Sequence, residues 1–427
     1  MADPLDALPR GLRSRLRHAG RVAGAAAAFG AQRLVRTLGA DEERFGERLV
    51  AELDTLKGMA MKVGQILSYM DGALPAGTQA ALGRLQRGVQ PLAWPAIAVA
   101  LEEGLGRPVD EVFASVDPEA VAAASIGQVH RGVLHDGRAV AVKVQYPGVR
   151  ETFEADVRQL RGLAGVAGMA TMVDGQAIVD DLAARLREEC DYRHEARWQR
   201  AFARAWAHDA ELVIPEVIDA ASSDTVLTTV WCAGSSLEDF GREGSDEGRQ
   251  RAARVLARFA WRSLFGLGTL HADPHPGNQI FREDGVVMLD FGCVRAFPEA
   301  WLDATRRELR ALQADDEAAF REAVIDAGMV PDPDRFDFAS HYAMQRFVWG
   351  PWCAPRWRFE AGWLAGIQQW SGPQNPNLRR LAIPPQWIWL QREVWGLNAV
   401  LVRLGAEGDF RSVLEAALDL PLERLEA

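Results

Sequence analysis

At 427 residues, with 48% hydrophobic and 25% charged residues, the chain has the composition of a globular protein with room for more than one core. A net charge of −11 argues against general nucleic-acid binding, so no nucleic-acid partner is expected. Cys190, Cys232, Cys293 and Cys353 lie far apart with no C-x-x-C spacing, which points to neither a zinc site nor a disulfide framework and suits a reducing cytoplasm.

In chain order, residues 1–40 form a basic, Ala-rich arm in which seven arginines face two aspartates. Its helical segment has an apolar centre too short to span a bilayer, so it either lies peripherally on an anionic membrane surface, the inner membrane face included, or docks on the body of the protein. Residues 41–105 read as a helical extension, with a broad apolar face formed by Leu49, Leu53, Leu56, Met59, Val63 and Ile66. Lys62, Gly64 and Gln65 sit within it. Residues 106–232 form a small lobe. There "QVHRGVLHDGRAVAVKVQY" alternates about Asp136-Gly137, a strong hairpin signal, and its second strand carries Lys143 where a kinase lysine would meet nucleotide phosphates. A long helix from about Asp174 to Trp206 follows, with Glu189, Asp191 and Glu195 on it, then the strands "ELVIPEVI" and "TVLTTVW".

Residues 233–427 form a larger lobe that opens with a helix over Asp246 to Leu267 and ends in a helical C-terminal region. Between them lie His271-Ala272-Asp273-Pro274-His275-Pro276-Gly277-Asn278 and Asp290-Phe291-Gly292. In a kinase catalytic loop, H-x-D-x-x-x-x-N, the Asp orients or deprotonates the attacking hydroxyl and the Asn reaches magnesium. The intervening "QIFREDGVVMLD" reads as two strands around Asp284-Gly285, which would return Asp290 beside Asn278 so that two oxygen ligands converge on one hard cation. Where a Gly-rich loop would cover the phosphates, the chain instead has Ala122, Ala123, Ala124 and Ser125 ahead of the hairpin, and alanine resists the positive φ that glycine accepts. No activation segment ending in A-P-E follows Asp290, so no peptide-docking platform is evident.

These motifs resemble the UbiB, or AarF, group of atypical kinases. Lys62-Val63-Gly64-Gln65 looks like that family's K-x-G-Q signature, Glu189-Cys190-Asp191 like its E-x-D signature, and the alanine loop is a third hallmark. The resemblance covers roughly residues 45 to 295. It implies an α+β, bilobal protein-kinase-like fold with an N-terminal helical extension and a helical C-terminal region. It further implies binding of ATP or ADP with Mg2+, catalysis by Asp273 with Lys143 and Glu195 paired, metal ligands Asn278 and Asp290, and a regulatory lock of Lys62, Gly64 and Gln65 against Glu189 and Asp191. The partners it implies are a nucleotide and prenyl-quinone precursors or related lipids. Val230 and Ala233 depart from it, since relatives usually carry acidic residues at those hinge positions.

Two other classes compete with this reading. A small-molecule phosphotransferase of the aminoglycoside or choline kinase kind shares the H-x-D-x-H-x-x-N loop, but has no reason to carry the K-x-G-Q and E-x-D motifs. A non-catalytic nucleotide-binding regulator has no need of Lys143, Asp273, Asn278 and Asp290 together. Eight of the fourteen tryptophans fall between Trp349 and Trp395, which fits either a lipid or quinone pocket or core packing of irregular helices. The apolar stretch "QWIWLQREVWGLNAVLVRLG" is the best C-terminal candidate for a membrane span, but Arg392, Glu393 and Arg403 interrupt it.

Overall fold

The computed structural model describes residues 91–124, 126–151, 154, 187–366, 375–377, 380–382 and 384–427. Lys62, Gly64, Gln65 and Ser125 therefore lie outside the described residues, as do the N-terminal arm and most of the helical extension. The elements begin with helix α1 (Trp94–Leu105), strands β1 (Phe113–Ala123), β2 (Gly127–Leu134) and β3 (Ala139–Gln145), helix α2 (Tyr192–Ala205), and strands β4 (Leu212–Val213) and β5 (Val226–Val230). Then come helices α3 (Leu237–Glu243) and α4 (Asp246–Trp261), strands β6 (Thr269–Leu270), β7 (Gln279–Arg282), β8 (Gly285–Met288) and β9 (Arg295–Ala296). Four longer helices, α5 (Glu299–Ala314), α6 (Glu317–Asp326), α7 (Phe338–Val348) and α8 (Pro385–Arg403), and the short α9 (Arg411–Leu418) complete the set used below.

The chain divides into two compact units, one holding residues up to Tyr192 with Ala220–Leu227, the other Arg193–Asp219 with Thr228–Ala427. In the first, the sheet order is β1-β2-β3-β5. The Asp136-Gly137 hairpin forms as its sequence dictates. Gly137 takes φ 85°, its N–H donates to the Leu134 carbonyl, and Leu134 in turn donates to Arg138. Strand β3 then runs with Val140, Val142 and Val144 fully buried, leaving Lys143 on the other face, opposite Val129 of β2.

The long helix expected from Asp174 is broken at Cys190–Asp191, and α2 starts at Tyr192. The cause is competition for backbone groups. The Cys190 carbonyl accepts from Gln145 Nε2 at 2.9 Å and Arg150 Nη2 at 2.7 Å, while the Tyr192 N–H donates to the Asp224 carbonyl at 3.0 Å. Neither group is left for a helical ladder.

In the second unit α4 is capped by Ser245, whose Oγ accepts from the Gly248 N–H, and its first turn carries Asp246 and Glu247 where the helix dipole favours them. It continues as a π-helical turn over Arg262–Gly266 that leads into β6. The core gathers around it. Trp261 meets Trp349 at 5.5 Å and Trp352 at 4.8 Å between ring centroids, and all three are fully buried. At these positions the tryptophan cluster is core packing. Among the described residues no helix is long and apolar enough to cross a membrane.

Glu308 of α5 is buried with Oε1 lacking a hydrogen-bond partner, and burial pushes its carboxyl from 4.5 up to about 8. The folded state thus keeps a proton that the unfolded state releases above pH 4.5, so stability is full below that value and is lost as pH rises towards 8. Glu308→Gln should reduce the fall in thermal midpoint between pH 5 and 8, since a tenfold difference in proton affinity between folded and unfolded chain is worth about 1.4 kcal/mol. An unchanged slope in that variant, read by calorimetry, would place the titrating group elsewhere.

Candidate active site

The segment from His271 to Val294 is bracketed by the β6–β9 pair, in which Thr269 lies opposite Ala296 and Leu270 opposite Arg295. Within the bracket, β7 and β8 form the expected hairpin, closed at Arg282 and Gly285, and the Leu289 N–H donates to the Asn278 carbonyl at 2.9 Å. The second strand is thereby carried back to the end of the catalytic loop, as the sequence predicts. His271 is buried, and its Nε2 donates to the backbone carbonyl of Asp290. Burial lowers the pKa of its imidazole against the opposing pull of Asp273 and Asp290. The ring also packs edge-on against Phe291 at 5.1 Å and 87°, and Phe291 in turn meets Phe202 of α2 at 5.2 Å.

Ala272 takes φ 58°, one of two non-glycine residues in that region among those described. A non-glycine residue held there costs on the order of 1 kcal/mol, and such strain gathers at functional sites. Here it turns the chain immediately before Asp273. Nothing in the sequence marks it, because alanine is not a residue that favours the left-handed region.

The Asp273 carboxylate is held at both oxygens. Asn278 Nδ2 donates to Oδ2 at 2.8 Å, and Arg392 Nη2 of α8 donates to Oδ1 at 2.5 Å. Asp290 Oδ1 accepts from the Gly292 N–H at 2.9 Å. A Cβ added at Gly292 would stand 3.3 Å from Asp290 Oδ1 and 3.6 Å from Glu195 Oε2, which puts both carboxylates around the same glycine. Glu195 itself is 5% exposed on α2. Asn278 offers an amide oxygen and Asp290 a carboxylate, both hard donors of the kind magnesium takes alongside nucleotide phosphates, so the donor set fits that ion. Among the described residues no three His, Cys, Asp or Glu side chains group as a metal site, and an ion completed by phosphates and water has no need of such a group.

In the first unit, Lys143 Nζ lies over the Tyr192 ring at 4.9 Å from its centroid. The alanine stretch is the end of β1: Ala122 pairs with Val129, Ala123 with Gln128, and the Ala124 N–H donates to the Gly127 carbonyl at 2.8 Å. Glu189 and Asp191 flank the break before α2, with the Asp191 N–H donating to the Glu188 carbonyl. Val230 ends β5 with its N–H given to the Glu216 carbonyl, and Ala233 is exposed.

What sequence reading missed is α8. Its charged residues look like interruptions of an apolar run, yet Arg392 meets the Asp273 carboxylate and Glu393 is 5% exposed beside it. Burial, chiefly, pushes Glu393 up to about 7, with Arg392 opposing and Asp273 adding. One turn on, a Cβ at Gly396 would fall 2.2 Å from Pro274 Cγ and 2.6 Å from Pro274 Cβ. Glycine is what lets the helix backbone touch the loop. Gly396→Ala should force α8 away from Pro274, costing about 1–3 kcal/mol and lowering turnover together with stability. A variant with unchanged thermal midpoint would mean that the loop yields without cost.

These elements define an α+β kinase-like fold with a catalytic loop and a D-F-G aspartate joined by backbone and side-chain bonds. The chain belongs to the ABC1 atypical kinase-like family, whose domain matches residues 84–324, more than half of the chain, and this bears out the UbiB/AarF resemblance. It is 35% identical over 266 residues to the mitochondrial atypical kinase COQ8B of Rattus norvegicus, covering 61% of this chain and 50% of that one. With the mitochondrial atypical kinase coq-8 of Caenorhabditis elegans it shares 33% over 271 residues, 61% of this chain and 36% of the relative. The chain thus spans half or less of the length of these two relatives. A solved structure of Rv3197 in complex with erythromycin, from Mycobacterium tuberculosis, aligns with a TM-score of 0.68 at 28% identity, covering 86% of this chain and 92% of that one.

Proposed function

We propose that this protein is a UbiB-like atypical kinase or ATPase that binds ATP or ADP with magnesium and serves prenyl-quinone or related isoprenoid-lipid metabolism. The observation that carries the reading is the joining of His271, Asp273, Asn278 and Asp290 by direct contacts, namely His271 to the Asp290 carbonyl, Asn278 to Asp273 and Leu289 to Asn278. Magnesium, when bound, neutralises the charge that develops on the transferring phosphoryl group. Asn278 and Asp290 hold it, and Asp273 orients the attacking hydroxyl or water. By family resemblance Lys143, paired with Glu195, contacts the α/β-phosphates, and the stretch Ala122, Ala123, Ala124 and Ser125 covers them. By the same resemblance Lys62, Gly64 and Gln65 close over Glu189 and Asp191 and restrict protein substrates.

The mycobacterial relative was solved with erythromycin, so small molecules belong among the acceptors to be tried. The test is phosphate release by the purified chain, with and without magnesium, anionic liposomes and quinone-precursor phenols, beside an amino alcohol, an aminoglycoside and a macrolide. The expected result is magnesium-dependent turnover that rises with liposomes or phenols. Fast phosphorylation of the amino alcohol or aminoglycoside, with no response to the lipid arm, would overturn it in favour of a small-molecule phosphotransferase.

A further inference from the structure

Helix α8 carries a largely apolar sequence, yet it places a guanidinium against the catalytic carboxylate. The Arg392–Asp273 pair closes at 2.5 Å with side chains only 13% and 23% exposed. Solvent screens such a pair far less than a surface one. The guanidinium is itself fixed. It lies over the ring of Trp389, one turn earlier in α8, at 5.7 Å, and the same ring carries the Arg295 guanidinium at 4.8 Å. The Gly396–Pro274 approach pins the helix to the loop one turn later. Two contacts along one face of α8, at Arg392 and Gly396, thus reach the segment that bears Asp273, and Trp389 supports the first of them.

The geometry assigns Arg392 as the positioning residue of Asp273, an assignment that rests on Asp273 being the group that orients the attacking hydroxyl. With Asn278 on Oδ2 and Arg392 on Oδ1, rotation of the carboxylate about its Cβ–Cγ bond is stopped from both sides. Each oxygen keeps a second lone pair, so one remains able to accept the hydroxyl proton's hydrogen bond. Phosphoryl transfer through a loose transition state asks chiefly for orientation of the attacking hydroxyl, which a carboxylate held at both oxygens supplies. Arginine suits the task better than lysine, because its planar fork sets direction as well as charge.

The experiment is steady-state phosphate release by the full chain in wild type, Arg392→Gln and Arg392→Lys, each with and without Asp273→Asn. Arg392→Gln should lower kcat by about 10- to 100-fold, the size expected from misplacing a reacting group by about 1 Å, while the nucleotide KM stays within about twofold. Arg392→Lys should recover part of the loss. In the Asp273→Asn background Arg392→Gln should cost nothing further, because the group that it positions has gone. A loss that adds in the double variant is the mark of a merely structural role and overturns the assignment, as does kcat equal to or above wild type in Arg392→Gln. Should Arg392→Gln fail to fold, Arg392→Lys alone decides: a reduced kcat at unchanged KM and thermal midpoint supports the assignment, and wild-type kcat refutes it. If Asp273→Asn turns over like wild type, the reading of Asp273 itself has failed. If Asp273→Asn is inactive and Arg392→Gln normal, only the Arg392 assignment falls.

Discussion

Asp273→Asn should lower kcat for phosphate release by about 10²- to 10⁴-fold while nucleotide affinity stays within about twofold. Asparagine keeps the size of the side chain but only one acceptor oxygen, so one of Asn278 and Arg392 keeps a partner while the other faces an amide N–H, and the charge proposed to draw the attacking hydroxyl is gone. Some loss of stability should accompany it, because Arg392, 13% exposed, then lacks its counter-charge. Stopped-flow or coupled phosphate assays give kcat, and calorimetry gives the affinity. Turnover equal to wild type would remove Asp273 from the chemistry whatever its surroundings suggest.

Phe291→Ala should be the most destabilising of the substitutions considered for the site. Phe291 is fully buried and bridges Phe202 of α2 to His271 of the catalytic loop. Truncating a buried phenylalanine costs about 3–5 kcal/mol in transfer and cavity terms, a large part of the ~5–15 kcal/mol that typically holds a domain together. The thermal midpoint should fall by about 10 °C or more. Magnesium-dependent nucleotide binding should weaken with it, since Phe291 anchors the backbone directly after Asp290. Phe291→Leu, which nearly fills the volume, should lose less than half as much. A fall of under about 2 °C for Phe291→Ala would show that the core can collapse around the gap.

The parts of the site legible in the sequence are those whose structure is local. The Asp284-Gly285 and Asp136-Gly137 turns announce themselves through residues that tolerate hairpin backbone, and alternation on either side fixes which side chains face in, Lys143 included. Spacing alone brings Asn278 and Asp290 to the adjoining ends of neighbouring strands, just before β7 and just after β8. Less legible is anything decided by distant competition. The break at Cys190 depends on Gln145 and Asp224, 45 and 34 positions away by residue number, taking up backbone groups that a helix would otherwise use. The left-handed Ala272 is held by its surroundings and leaves no trace in residue type. Arg392 and Asp273 are 119 residues apart, and an arginine within an apolar run reads as a defect of a membrane span until its carboxylate is known. The tryptophans beyond Trp349 are ambiguous for a related reason, since indole composition does not distinguish a pocket from a core, and only the packing of Trp349 and Trp352 on Trp261 decides their part.

The central claim is that Asp290 and Asn278 hold magnesium for a nucleotide. Calorimetric titration of ATP and ADP into wild type and Asp290→Asn, each with magnesium and with chelator, tests it most directly. Binding in the wild type should weaken at least about tenfold on chelation, and the variant should bind weakly whether or not magnesium is present, because the proposed ligand of the ion has lost its charge. Equal affinity for both proteins, unaltered by chelator, would contradict it.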